Sequence, residues 1–216
     1  MLITVFDSET TGLSTSQILN PEFWPHIVQF SYIVYDTKQM RIVEIKDSII
    51  KLPKGVIISA ESAGIHGITN EITEEKGVDI CGVLAEFIGW CDKSDLIIGH
   101  NVEFDYNMVI IELMRTDAPF VVSEKFKTYK KFVCTMKTTV DICNIKAISK
   151  KGKEYTKFPT LLELHKHLFS AEPLKLHNSL NDVLVCLRCF YKIKFCKDLV
   201  EESAHIKKLM APLLHV

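Results

Sequence analysis

The apolar run Met1-Leu2-Ile3-Thr4-Val5-Phe6 ends in Asp7-Ser8-Glu9, and this junction constrains the chain more tightly than any other segment. In an extended strand residues i and i+2 project to the same face, so Asp7 and Glu9 converge at the strand's carboxyl end. Two unpaired carboxylates at that spacing repel, and a cation is the natural way to keep both ionised. Thr10-Thr11-Gly12 follows, offering exposed backbone N–H groups and a residue free to turn sharply. A strand ending in a polar turn would also account for these residues, so the rest of the chain has to decide.

At 216 residues and 47% apolar, the sequence suits one globular unit with a full core: a main domain over 1–197, then a helix and short tail over 198–216. No window reaches the apolar length of a membrane span, and no basic region precedes the first apolar run, so neither membrane insertion nor a signal peptide is expected. Seven cysteines without framework spacing fit a reducing compartment, cytoplasm or nucleus. The net charge of −1 hides an asymmetry. Residues 1–124 carry 19 acidic and 8 basic side chains, whereas 125–157 carry 10 lysines against Asp141 and Glu154. An acid-rich body beside a lysine-rich stretch suits a protein that holds metals in one place and an anionic polymer in another.

Strands are expected at 2–7, 27–35, 41–50, 96–98 and 133–140, and helices at 79–91, 103–114, 159–169 and 179–195. The hairpin-like spacing of the second and third strands argues for antiparallel pairing. Strands first, then alternating helix and strand, give an α/β fold with a mixed five-stranded sheet flanked by helices. Residues 198–216 read as a last helix and a short tail broken at Pro212.

Two later segments belong with the first carboxylates. His100-Asn101-Val102-Glu103-Phe104-Asp105 follows the strand 96–98, placing Asp105 at a helix start on the sheet edge that carries Asp7. Interaction with the helix N-terminal dipole would explain Asp105 structurally, and Phe104 is either core or a platform for a base. His177-Asn178-Ser179-Leu180-Asn181-Asp182 opens the helix 179–195. Ser179 and Asp182 have capping-box-like spacing, with Ser179 as the cap. That leaves His177 unexplained and Asp182 free to face a metal. His165 and His167 read as helix-surface residues.

Asp-x-Glu-Thr-Thr-Gly, His-Asn-x-x-Phe-Asp and His-x-x-x-x-Asp, in this order, resemble the DEDDh exonucleases, the DnaQ-like group of replicase proofreading subunits and free-standing 3′-end repair enzymes. Ile65-His66-Gly67-Ile68-Thr69 and Trp24-Pro25-His26-Ile27-Val28-Gln29 are similar to further segments of that family, and the likeness covers about residues 1–195. It implies a ribonuclease-H-like fold and metal-dependent 3′-to-5′ hydrolysis of nucleic acid. The oxygen ligands Asp7, Glu9, Asp105 and Asp182 suit two Mg²⁺ or Mn²⁺ ions. Two such ions roughly 3.5–4 Å apart clamp a scissile phosphate. His177 would be the base, releasing a nucleoside 5′-monophosphate.

The same likeness implies that backbone groups of Thr10 and Thr11, in the turn completed by Gly12, meet the terminal sugar and that Leu13 presses on the last base. His66 and Ile68 would line that pocket, and Asn101 and Phe104 would touch the penultimate nucleotide. The expected partners are single-stranded or frayed 3′ ends, DNA favoured over RNA, with a polymerase as a further candidate. An exoribonuclease and a non-catalytic nucleic-acid-binding adaptor are the rival readings; the adaptor predicts decay at one of the five catalytic positions, and all five are intact. Cys186-Leu187-Arg188-Cys189 has zinc-like spacing, but it lies inside a helix and lacks a second pair. Cys186, Cys189 and Cys196 are therefore expected as core or semi-buried residues, with no structural zinc.

Overall fold

The computed structural model describes residues 1–116, 126–129 and 131–214; Lys125 and Lys130 of the lysine-rich stretch, and the last two residues of the tail, lie outside them. Three strands come first: β1 (Leu2–Thr10), β2 (Ile27–Asp36) and β3 (Arg41–Ile49). Helices α1 (Ala60–His66), α2 (Asn70–Lys76) and α3 (Ile80–Lys93) lead to β4 (Leu96–Gly99), α4 (Val102–Arg115) and β5 (Phe132–Cys134). Two short helices follow, α5 (Thr135–Thr138) and α6 (Val140–Cys143), then a separate hairpin of β6 (Lys146–Ile148) and β7 (Glu154–Thr156). The chain continues through α7 (Leu161–Phe169), α8 (Ser179–Phe195), α9 (Leu199–Glu202) and α10 (Ala204–Met210).

The five-stranded sheet has the order β3-β2-β1-β4-β5. β2 pairs antiparallel with both β1 and β3, while β4 runs parallel to β1 and β5. It is the expected mixed sheet. Strand alternation sorts its side chains onto two cores. Phe6, Phe30 and Tyr32 pack with Phe87 and Met108 beneath α3 and α4. Ile3, Val5, Ile33 and Tyr35 pack with Val183, Leu184 and Leu187 of α8 on the opposite face. Leu199, Ile206, Met210 and Leu213 join this second core, so these four side chains are buried within the chain. The expected single last helix is two short ones, α9 and α10, and α10 ends at Met210, just ahead of Pro212 in a short 3₁₀ turn, Ala211–Leu213.

The expected strand 133–140 is a three-residue strand followed by two helical turns. Its β-branched residues misled because their hydroxyls serve helical carbonyls: Thr138 Oγ1 donates to Cys134 O at 2.8 Å and Thr139 Oγ1 to Thr135 O at 2.6 Å. His165 is also not a surface residue, being 0% exposed. Its Nδ1 donates to Ala171 O at 2.8 Å, leaving Nε2 to accept from Arg188 at 2.9 Å. Arg188 in turn forms a bidentate pair with Asp198, at 2.9 and 2.6 Å. Cys186 and Cys189 are buried as expected, whereas Cys196 is exposed, ending α8 in a left-handed conformation.

Candidate active site

β1 outruns its parallel neighbour. Val5 pairs with Ile98, β4 stops at Gly99, and β1 continues to Thr10, so Asp7 and Glu9 overhang the carboxyl end of β4. Crevices at such strand ends are where open α/β sheets bind ligands. Gly99 permits the tight exit from β4: a Cβ there would meet Val102 Cγ2 at 2.9 Å and the Phe6 carbonyl oxygen at 3.3 Å. Asn101 then adopts φ 63°, turning the chain into α4 so that Asp105 falls in its first turn.

The alternation that divides the core also divides the site. Asp7 and Glu9 share the parity of Ile3 and Val5, on the face covered by α8, where Asp182 lies in the first turn. Carboxylate oxygens of Asp7, Glu9 and Asp182 approach within 4.8 Å of one another. Ser8 points the other way: its N–H and hydroxyl both donate to Asp105 Oδ1, at 3.0 and 2.6 Å. Asp105 is thereby fixed on the far side of β1, outside the three converging oxygens.

The cap of α8 differs from expectation by one residue. Asn178, not Ser179, caps the helix, its side chain accepting from Asn181 N at 3.3 Å. Ser179 is free to tie the helix to the sheet, its hydroxyl donating to Asp7 O at 3.0 Å and its N–H to Gln29 Oε1 at 3.2 Å. The Gln29 amide donates on to Asp47 at 2.7 Å. The His177 N–H donates to Asp182 Oδ2 at 3.0 Å. His177 has φ 68°, a left-handed conformation, and its exposed imidazole lines one cleft with Asp7, Asp182, Leu161 and Leu176.

The carboxylates raise one another's proton affinity. Burial pushes Asp7 well above the usual carboxylate range, aided by Asp105, Asp182 and Glu9. Burial, then Asp182 and Asp105, lifts Glu9 to about 8. Asp105 rises to about 7 by burial, against the opposing bonds from Ser8. Asp182 rises to about 7 by burial, against the bond from the His177 N–H. No lysine or arginine pairs with these four groups among the described residues, so their charge is left for an external cation. The donor set is all oxygen, which fits hard divalent ions.

A second pocket adjoins Glu9, lined by Thr10, Gly12, Leu13, Ile65 and His66. Leu13 is 83% exposed there. Two expectations for this pocket need correction. The Thr11 N–H is not available, since it donates to His26 O at 2.9 Å while Thr11 O accepts from Ser59 N. Ile68 does not line the pocket; it is buried with Val28 and Ile58 because it starts a small core under β2. Its N–H donates to His66 Nδ1 at 3.0 Å, so His66 Nε2 carries the proton given to Thr10 O at 3.2 Å. Burial also lowers the His66 pKa. His66 is thus a neutral strut beneath the pocket. Asn101 and Phe104 come together in a third pocket with Trp24 and Ser14. Phe104 stacks on Trp24 with ring centroids 6.0 Å apart.

Two further residues, without a motif of their own in the sequence, support this site. Arg115, at the end of α4, donates to the carbonyls of Pro21 (2.6 Å), Trp24 (2.6 Å) and Pro25 (2.8 Å) and pairs with Glu112 at 2.9 Å. Glu112 also accepts from Ile27 N at 3.0 Å. The pair clamps the loop between β1 and β2 onto the helix that carries Asp105. His26 Nδ1 lies 3.6 Å from Glu112, but burial and Arg115 lower its pKa to about 4, so it stands there uncharged at neutral pH.

The sheet order and the acidic edge define a ribonuclease-H-like domain with a carboxylate cluster. A family model described as Exonuclease matches residues 4–190. The chain belongs to that family, the DnaQ-like DEDDh exonucleases, a group of 3′-to-5′ hydrolases. No curated protein matches significantly. Among solved structures, E. coli Exonuclease I in complex with a dA16 oligonucleotide superposes with a TM-score of 0.63 at 16% identity, covering 97% of this chain and 45% of the other. Exonuclease I from Methylocaldum szegediense gives 0.60 at 18% identity, covering 93% and 43%. Cell-death related nuclease 4 gives 0.63 at 12% identity, covering 92% and 65%. The chain spans less than half the length of these two Exonuclease I chains. At such identities the likeness is one of fold. No described helix is long and apolar enough to cross a membrane.

Proposed function

We propose that the protein removes nucleotides from the 3′ ends of nucleic acid, DNA in preference to RNA, by metal-dependent phosphodiester hydrolysis that releases nucleoside 5′-monophosphates. The observation that carries this reading is the convergence of Asp7, Glu9 and Asp182 within 4.8 Å, in a chain whose family is an exonuclease family. These three residues would hold one Mg²⁺ or Mn²⁺, with Asp7 and Asp105 serving a second. When bound, the ions supply a Lewis acid for the scissile phosphate and charge neutralisation for the leaving oxygen.

The chain's own groups do the rest. His177, exposed over the cleft that Asp7 and Asp182 line, takes the proton of the attacking water. Its backbone N–H donates to Asp182, which ties the base to one ligand. The pocket of Thr10, Gly12, Leu13 and His66 receives the terminal nucleotide, with Leu13 against the base. Asn101 and the Phe104–Trp24 stack receive the next one. The oligonucleotide in the E. coli Exonuclease I structure supports single-stranded DNA as the substrate.

The test is digestion of DNA and RNA oligonucleotides with matched 3′ ends, in Mg²⁺ and in chelator, by wild type and Asp7→Ala. Faster loss of DNA, abolished by chelator and by the substitution, is the expected result. Faster loss of RNA makes the protein an exoribonuclease. Inert wild-type protein ends the enzymatic reading.

A further inference from the structure

The β6–β7 hairpin pairs with no other strand among the described residues. A lone two-stranded hairpin is marginally stable in water, so an exposed one needs a reason. Its tip is closed by its own bonds: Ser149 N donates to Lys153 O at 2.9 Å, Gly152 N to Ser149 O at 2.8 Å, and Lys153 N to Ser149 Oγ at 3.1 Å. Lys150, Lys151 and Lys153 crowd this tip, are exposed, and form no ion pair with a described residue. Lysines on an edge strand commonly discourage aggregation. That role does not explain the exposed apolar groups beside them: Ile148 is 76% exposed, Tyr155 49% and Phe158 55%. Free cations at the tip with exposed rings toward the base match a chain of phosphates and bases.

The base of the hairpin adjoins the catalytic cleft. After Phe158, the Pro159 carbonyl accepts from His100 Nε2 at 3.0 Å, and burial holds that imidazole's pKa down at about 4. His100 Nδ1 engages Thr135 Oγ1 at 2.9 Å. Thr160 and Leu161, next in sequence, line the cleft with Asp7 and His177. Beyond this anchored base the hairpin's two strands are three residues each, about 10 Å at roughly 3.3 Å per residue. That is the length of about three stacked nucleotides at ~3.4 Å each.

We propose that this hairpin is a nucleic-acid arm that holds the single strand 5′ of the scissile nucleotide, with phosphates on Lys150, Lys151 and Lys153 and bases against Tyr155 and Phe158. The inference rests on the exonuclease reading above and adds a strand-holding surface to it. The experiment compares steady-state hydrolysis of a single-stranded trinucleotide and a 20-mer by wild type, the triple variant Lys150→Gln/Lys151→Gln/Lys153→Gln, and Phe158→Ala. The expected result is a fall in kcat/KM on the 20-mer of about tenfold or more in each variant, the scale of lost stacking and phosphate contacts. The kcat and all trinucleotide values stay at wild-type level. For the triple variant, the slope of log(kcat/KM) against log salt on the 20-mer becomes shallower by about 2, from ~0.7 per released counterion.

Equal losses on both lengths, or an unchanged salt slope, overturn the arm. So does a wild-type preference for a blunt duplex of the same length, which would assign the hairpin to paired DNA. If wild type cleaves neither length, the exonuclease reading fails, and the arm is judged by fluorescence-anisotropy binding of the 20-mer. Weaker binding by the triple variant then upholds it, and equal binding rejects it.

Discussion

Ser8 and Asp105 lie 97 residues apart, yet the Ser8 N–H and hydroxyl both donate to a single oxygen of the Asp105 carboxylate. The strand residue between two cluster acids thereby orients a third acid on the opposite face of β1. Both bonds favour the ionised form, opposing the burial that raises the Asp105 pKa.

Ser8→Ala removes one of the two bonds and keeps the backbone. A hydrogen bond to a charged group contributes about 1.5–3 kcal/mol, partly compensated here by the remaining N–H. The Mg²⁺ concentration for half-maximal activity should rise about tenfold, with kcat at saturating metal within about threefold of wild type. A metal titration of activity reads this directly; an unchanged midpoint would show that Asp105 needs no such support.

Stability without metal should fall as pH rises. Glu9 is raised to about 8, and Asp105 and Asp182 to about 7. The folded state therefore holds protons that the unfolded chain has already released. This contribution is fully present below the ordinary carboxylate pKa of about 4 and is lost as pH climbs through 7 to 8. In chelator, Tm should drop between pH 5.5 and pH 8.5, and Mg²⁺ should restore more at the higher pH. Equal stabilisation by Mg²⁺ at both pH values would contradict the cluster's role as the metal site.

His177 adopts a left-handed backbone, so an ordinary replacement mixes strain with chemistry. Asn tolerates that conformation, which makes His177→Asn the informative variant. Loss of a general base lowers kcat by roughly 10²–10⁴. Tm in chelator and the apparent Mg²⁺ affinity should stay near wild type. A loss of Mg²⁺ affinity comparable to the loss of kcat would instead make His177 a support for Asp182 through its N–H.

Arg115 satisfies three loop carbonyls and neutralises the buried Glu112. Arg115→Met strands that carboxylate, a change that costs about 3–5 kcal/mol when a buried pair is broken from one side. Tm should fall by roughly 8–15 °C. The double variant Glu112→Gln/Arg115→Met should recover part of that loss, and differential scanning calorimetry on both measures it. No recovery would mean that the carbonyl bonds, not the paired charge, hold the loop.

Much of the site was legible because β1 follows strict alternation. The two-residue spacing of Asp7 and Glu9, with apolar partners of the same parity, already fixes their shared face. Asp105 and Asp182 stand in first turns of helices whose apolar periodicity is plain. What escaped depends on contacts distant in sequence. Asn178 and Ser179 are equally good caps locally, and the bonds that separate them, from Ser179 to the Asp7 carbonyl and to Gln29, come from distant strands. His165 looks solvated until Arg188, 23 residues later, is placed beside it. The segment 133–140 reads as a strand by composition, and its threonine hydroxyls are accommodated in helical turns by bonding carbonyls four residues back. Thr11 carries a useful N–H in sequence, but β2 delivers His26 to occupy it.

The central claim is that Asp7, Glu9 and Asp182 hold the metal for hydrolysis at a 3′ end. Its most direct test is a time course on a 5′-labelled single-stranded oligonucleotide with purified wild type and Asp7→Asn, in Mg²⁺ and in chelator. The account predicts a ladder shortening one nucleotide at a time from the 3′ end, with mononucleotide product, and none in chelator or with Asp7→Asn. Shortening that persists in Asp7→Asn, or internal cuts with no ladder, would contradict it.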